Sequence, residues 1–205
     1  MSSALDGSSK GITFFQWMIL GTLTLTSTLY AMSMTIANIA LPQLQGALGA
    51  TQDQIAWTVT FNIIGTAIVT PMTGWLTLRF GQRRLMLCAI FGFATSSILC
   101  GQATALPELV IYRVFQGAFG GPLVPLSQAI ILGVFPRRLH SFATAVWGMG
   151  VVCGPIIGPT VGGYISEAYS WRWVFYIIAP FSLLAFLGAW FCLLYTSDAA
   201  DDTCC

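Results

Sequence analysis

The sequence predicts an all-α membrane protein with six transmembrane helices, and three observations predict it. Charged residues make up 7% of the 205-residue chain and mean hydropathy is +0.79, against roughly 25% charged in an average soluble domain. The few charges leave long uncharged intervals, at 11–52, 54–78, 85–107, 114–136, 139–166 (His140 counted as neutral) and 173–197. Each exceeds the ~20 residues needed to cross a ~30 Å hydrocarbon core. Third, glycine recurs at every fourth position, Gly150, Gly154, Gly158 and Gly162, beside Pro155 and Pro159. In water these residues would destroy a helix, at about 3 kcal/mol per interior proline and about 1 per glycine. In a bilayer, neighbouring helices and hydroxyls re-satisfy the freed carbonyls, and bare backbone lets two helices approach closely. The glycines therefore predict a groove that touches another helix.

The expected helices, in order, span about 16–41, 55–78, 85–106, 108–134, 142–164 and 172–195. The first follows Lys10 and closes near Pro42. Its uncharged stretch far exceeds the roughly 7 to 15 apolar residues of a signal peptide, which is the alternative reading of that segment. The second lies between Asp53 and Arg79, and the third between Arg84 and Glu108. The fourth contains Arg113, the fifth contains the glycines, and the sixth follows Arg172. Connections are too short for a soluble domain. The expected organisation is a cytoplasmic N-terminal segment (1–15), a six-helix unit (16–195) and a tail (196–205). Cys88, Cys100, Cys153 and Cys192 are scattered through spans and Cys204 and Cys205 are adjacent, which gives neither a disulfide framework nor a metal pattern. A formal net charge of +1 says nothing about partners; neither a nucleic-acid partner nor a cofactor is expected.

Basic residues set the expected orientation. Lys10, Arg79, Arg83, Arg84, Arg137 and Arg138 fall on one side, and Arg172 lies opposite with Asp53, Glu108 and Glu167. The positive-inside rule then puts the N-terminus in the cytoplasm. Trp17, Trp57, Trp75, Trp171 and Trp173 lie near span ends, where amphipathic rings favour the headgroup level. His140, after Arg137 and Arg138, is expected to be a solvated loop residue.

Four segments carry most of a family resemblance. Gly150-Val-Val-Cys-Gly154-Pro155-Ile-Ile-Gly158-Pro159-Thr-Val-Gly162-Gly163 is the most specific, and Gly74-Trp-Leu-Thr-Leu-Arg79-Phe-Gly81-Gln-Arg83-Arg84 precedes it in the chain. Ile111-Tyr112-Arg113-Val-Phe-Gln116-Gly117 is followed by Pro125-Leu-Ser-Gln128, and Thr35-Ile-Ala-Asn38-Ile-Ala-Leu-Pro42 closes the first span. Together they resemble the major facilitator superfamily, in particular its EmrB/QacA type of 14-helix drug:proton antiporter; Trp171-Arg172-Trp173-Val-Phe175 resembles the start of that family's sixth helix. The resemblance implies one half of a major facilitator fold, with two inverted three-helix repeats. It identifies the glycine stretch as the antiporter motif of the fifth helix, and the Gly74 to Arg84 stretch as the loop that latches the outward-facing state. In that loop Leu78 stands where the family commonly has an acid and Gln82 where it has a basic residue. A turn glycine with topology-setting arginines is the other reading of that loop.

Arg113 is the one charge placed within a span. An arginine in hydrocarbon costs at least ~2.5 to 3.5 kcal/mol on insertion scales, so it is expected to face the bundle interior or a water-filled cavity. Snorkelling to the outer surface is the alternative. The resemblance implies that Arg113 serves proton coupling and that Ser33, Asn38, Asn62, Gln116 and Gln128 are substrate-cavity candidates. Ser33 stands where many members have an aspartate, and Ser33 and Asn38 are expected to be able to hydrogen-bond Arg113 without titrating.

The resemblance runs to about residue 192, and the acidic end Asp198, Asp201, Asp202 conflicts with a cytoplasmic, basic terminus. The expectation is a truncated reading frame with a non-native tail; a genuine short acidic tail is the alternative. No paired carboxylates or His/Cys cluster suggest an enzyme. The resemblance implies proton-coupled efflux of small hydrophobic compounds across a bacterial inner membrane, with a periplasmic adaptor and outer-membrane channel as family partners besides the lipid bilayer and protons. A nutrient symporter or uniporter, or a non-transporting membrane scaffold, are the rival functions.

Overall fold

The computed structural model describes residues 12–201, with side chains described up to residue 191. The expectations for Lys10, for Cys192, Cys204 and Cys205, and for the tail side chains lie outside the described residues. The described residues form α1 (Phe14–Leu48), α2 (Gln52–Phe80), α3 (Gln82–Gln102), α4 (Leu106–Gly120), α5 (Leu123–Val134), α6 (His140–Ala168), α7 (Trp171–Tyr176) and α8 (Ile178–Asp201). They make six spans long and apolar enough to cross a membrane, the fourth built from α4 and α5 and the sixth from α7 and α8.

Local chemistry sets the helix ends. Thr13 with Gln16 and Thr51 with Gln54 form reciprocal capping boxes at the starts of α1 and α2. Gly49, at φ 61°, ends α1, and Gly81, at φ 82°, is the single residue between α2 and α3. Both lie in a region that only glycine enters without strain.

Four boundaries differ from the sequence reading. α1 continues through Pro42 to Leu48 instead of closing near residue 41, because a proline in a membrane helix only frees the carbonyl four residues back. The fourth span is broken at Gly121 and Pro122, and the sixth at Ile177. Pro122 and Pro125 remove two consecutive-turn donors from the fourth span, and Pro180 removes one from the sixth. α8 also runs past residue 195 to Asp201.

Two helix pairs dominate the packing, α1 with α6 and α2 with α4; α3 lies against α4 and α8, and α8 against α1. Exchange of spans one to three with four to six converts the first pair into the second, and converts the contact of spans three and four into that of six and one. The pairing therefore carries the signature of two three-helix repeats. The core divides into two apolar clusters. One contains Leu23, Ile90, Phe93, Leu123 and Ile131, and the other contains Leu44, Ile55, Cys100, Leu109, Trp171 and Phe175.

Two aromatic and loop expectations are corrected. Trp171 is buried rather than in an interfacial belt, because it shares the inner face of α7 with Val174 and Phe175 at helical spacing. His140 is not a solvated loop residue: it starts α6, and its Nε2–H donates to the Phe135 carbonyl at 2.7 Å, filling an acceptor left at the end of α5.

Candidate functional site

A buried polar layer lies along the chain between the two apolar clusters. On α3, Ser97 falls between Phe93 of one cluster and Cys100 of the other; on α4, Arg113 and Gln116 follow Leu109. Arg113 is 1% exposed, so the snorkelling alternative is excluded and the bundle interior holds the guanidinium. Its Nη1 donates to Gln116 Oε1 at 2.6 Å, Gln116 Nε2 donates to Ser97 Oγ at 2.8 Å, and Ser97 donates to the Phe93 carbonyl at 2.8 Å. The guanidinium carbon lies 4.8 Å from the centre of the Phe175 ring. Arg113 Nε and Nη2 find no hydrogen-bond acceptor among the described residues. A buried cation held by one neutral amide and one ring is electrostatically incomplete, since an uncompensated charge in a low-dielectric interior is strongly unfavourable.

The α2 and α4 seam frames this layer. Asn62 Nδ2 donates to the Arg113 carbonyl at 2.9 Å, Thr66 Oγ1 to the Gly117 carbonyl at 3.1 Å and Thr70 Oγ1 to the Gly121 carbonyl at 3.5 Å. Each step is four residues on both helices, so the helices run parallel in register. Pro125 lacks the N–H that would bond the Gly121 carbonyl, and Thr70 reaches that acceptor from α2. The bare backbone of Gly65 and Gly117 makes this approach possible. A Cβ at Gly65 would sit 2.5 Å from the Val114 carbonyl oxygen, and one at Gly117 would collide with the Asn62 carbonyl oxygen.

The glycine stretch of α6 forms the equivalent seam against α1. Gly154 lies against the Thr28 carbonyl (2.7 Å from a Cβ placed there), Gly158 against Thr35 and Gly162 against Ile36, while Gly150 abuts Thr24. Thr28 Oγ1 donates to the Gly150 carbonyl at 2.9 Å, and Trp147 Nε1 to Ser27 at 3.1 Å. Pro155 is exposed, Pro159 is half-buried and a Cβ placed at Gly163 would find Ile39 no nearer than 3.9 Å, so these three lie off the seam.

The structure separates the other candidates. Neither Ser33 nor Asn38 bonds Arg113: the buried Ser33 hydroxyl donates to the Tyr30 carbonyl at 2.8 Å, and Asn38 is exposed. Helix geometry explains this, because a serine hydroxyl reaches the carbonyl of its own preceding turn more readily than a neighbouring helix. Gln128 is exposed as well, so only Asn62 and Gln116 join Arg113. In the loop motif Gly74, Arg79 and Arg84 are exposed, Arg83 is half-buried, and the Arg79 guanidinium lies 5.6 Å from the Trp75 ring centre. Gly81 makes the turn itself. Sequence reasoning missed Ser97 and Thr66, which carry no motif signal. It quoted Phe175 only as part of a helix start.

Comparison with known proteins bears on this arrangement. Residues 23–203 match the family model described as Major Facilitator Superfamily. Over 168 residues the chain is 44% identical to the multidrug export protein EmrB of Haemophilus influenzae, covering 82% of this chain and 33% of that protein. Identity is 41% over 165 residues to EmrB of Escherichia coli (80% and 32% covered) and 40% over 156 residues to the fatty acid resistance protein FarB of Neisseria gonorrhoeae (76% and 31%). The chain thus spans about a third of the length of these relatives. In fold it is similar to the inward-open xylose transporter XylE of E. coli, at TM-score 0.77 and 19% identity, covering 85% of this chain and 47% of that one.

Proposed function

The chain belongs to the major facilitator superfamily, and on that premise we propose that it is the N-terminal six-helix part of a longer proton-coupled exporter of hydrophobic drugs or toxic compounds, working by alternating access in a bacterial inner membrane. The carrying observation is the set of relatives at 40% identity or more, each named for export or resistance. The glycine seam between α6 and α1 supports the antiporter reading over nutrient uptake, through its match to the motif quoted above. Arg113 is the proposed coupling group, with Asn62 and Gln116 bonded to it in the buried layer; Ser33, buried on α1, is proposed to line the cavity apart from that group. Asn38 and Gln128, on the outside of the six-helix unit, are proposed to face the remainder of the transporter. A periplasmic adaptor and an outer-membrane channel are the proposed partners.

Reconstituted full-length protein tests this reading. In proteoliposomes without a pH gradient, adding ethidium, chloramphenicol or palmitate should release protons on the side from which the compound is taken up. Proton uptake together with the compound would indicate symport, and no movement of any probe would indicate a non-transporting subunit.

Both the N-terminus and the loops at Gly81 and Arg137 are proposed to be cytoplasmic, since the arginines cluster there. In a cysteine-free background, an impermeant thiol reagent applied from outside should label a cysteine at Ala50 and spare one at Gln82. The opposite pattern would reverse the topology.

A further inference from the structure

We infer that Phe175 is the positioning residue for Arg113, and that α7 is the clamp that holds that ring in place. This inference rests on the coupling role proposed for Arg113. Among the described residues the guanidinium has a single side-chain hydrogen bond, to Gln116, and two nitrogens without acceptors. In an apolar surround, the ring face at 4.8 Å is then a principal attraction on the cation, and desolvation makes such an attraction stronger than at a surface. Phe175 is itself 1% exposed and belongs to the apolar cluster with Trp171, Leu109 and Cys100.

The ring is pinned from outside the layer. Trp171 packs edge-on to Phe175 with centres 6.3 Å apart, and the Arg172 guanidinium lies 5.1 Å from the Trp171 ring centre. Arg172 Nη2 donates to the Ala103 carbonyl at the end of α3, at 3.2 Å. The Ser170 hydroxyl caps the helix start by accepting from the Arg172 N–H. The bond from Arg172 to the end of α3 and this cap fix the start of the sixth span beside Phe175, and α8 follows α7 through the single residue Ile177. Asn62 of α2 holds the Arg113 backbone, Gln116 holds one end of the guanidinium and Phe175 supplies its wall. Loss of the ring frees the guanidinium to swing within the layer, where its unpaired nitrogens can seek another acceptor.

The test combines a spectroscopic readout with a transport readout in full-length protein in lipid. Guanidinium protons of Arg113 should show an upfield ring-current shift in spectra of protein labelled with nitrogen-15 arginine. Phe175→Leu should abolish that shift and Phe175→Tyr should keep it. With whichever of ethidium, chloramphenicol or palmitate the protein exports, Phe175→Leu should lower the kcat of proton-driven export about thirtyfold, the scale of one cation–π contact in a desolvated site. It should leave KM and gradient-free exchange of labelled for unlabelled probe within about twofold. Phe175→Tyr should restore proton-driven export. Equal losses in export and exchange would reduce Phe175 to packing and overturn the inference, as would wild-type export by Phe175→Leu. If Arg113→Ala exports normally while the ring-current shift is present in wild type, the coupling role of Arg113 fails, although the contact itself stands.

Discussion

Replacing Gly117 with alanine is expected to force α2 and α4 apart and to be among the most damaging single-atom additions in the chain. The added Cβ would collide with the Asn62 carbonyl oxygen, which is backbone and cannot rotate away. Relief requires a shift of one helix against the other, and the shift strains the bonds from Asn62 to the Arg113 carbonyl and from Thr66 to the Gly117 carbonyl. Overpacking costs about 1 to 3 kcal/mol, occasionally more, and each interhelical bond in a membrane adds roughly 0.6 kcal/mol. A total near 3 kcal/mol is enough to shift an access equilibrium about a hundredfold. Thermal denaturation of the purified protein in detergent, read beside transport, measures it. Gly133→Ala is the control: its Cβ meets nothing within 4 Å, so the change should be neutral or slightly stabilising. The same geometry ranks the α6 seam. Gly154→Ala meets the Thr28 carbonyl at 2.7 Å, whereas Gly158→Ala meets the Thr35 hydroxyl, a side chain that can turn aside. Gly154→Ala should therefore be the more harmful of the two. Equal tolerance of Gly117→Ala and Gly133→Ala would mean that the α2–α4 seam is not a close contact in the membrane.

In the full-length exporter proposed above, Arg113→Ala is expected to abolish proton-driven export while leaving membrane expression within about twofold, because deleting a poorly compensated buried cation removes an electrostatic cost along with its contacts. Gln116 Oε1 loses its donor, yet Gln116 Nε2 keeps Ser97, and the Phe175 ring stays within an apolar cluster. Arg113→Lys should not rescue export, since an ammonium lacks the planar fork that bonds Gln116 while stacking on a ring. Export at the wild-type rate by Arg113→Ala would leave the buried layer as a packing feature. Loss of expression instead of export would show that the layer serves assembly.

Much of this protein was legible because a bilayer leaves few options. Six uncharged stretches longer than a membrane is thick must become helices, as no other continuous backbone satisfies its own hydrogen bonds in hydrocarbon. The burial of Arg113 followed from the same logic, and the glycine period in α6 announced a contact surface before its partner was known. Helix ends were less legible at Pro42, Gly121 and Ile177, where a local signal for a break competes with membrane tolerance of freed carbonyls. Pro42 is absorbed, whereas the fourth span yields at Gly121 and Pro122.

By itself the sequence determined the number of spans, their order and the kinds of residue available to a polar layer, because each of these depends on composition over one helical length. Only the tertiary structure decided which residues meet. It set α6 against α1 and α2 against α4, gave Arg113 to Gln116 and Phe175 instead of Ser33 and Asn38, and turned Asn38 and Gln128 outward. The reason is physical: a side chain's own helix fixes its height and face, but its neighbour is fixed by which helices can approach closely. That approach depends on a glycine of one helix meeting the backbone of the other, Gly117 against the Asn62 carbonyl and Gly154 against the Thr28 carbonyl, a pairing that hydropathy along one chain does not encode.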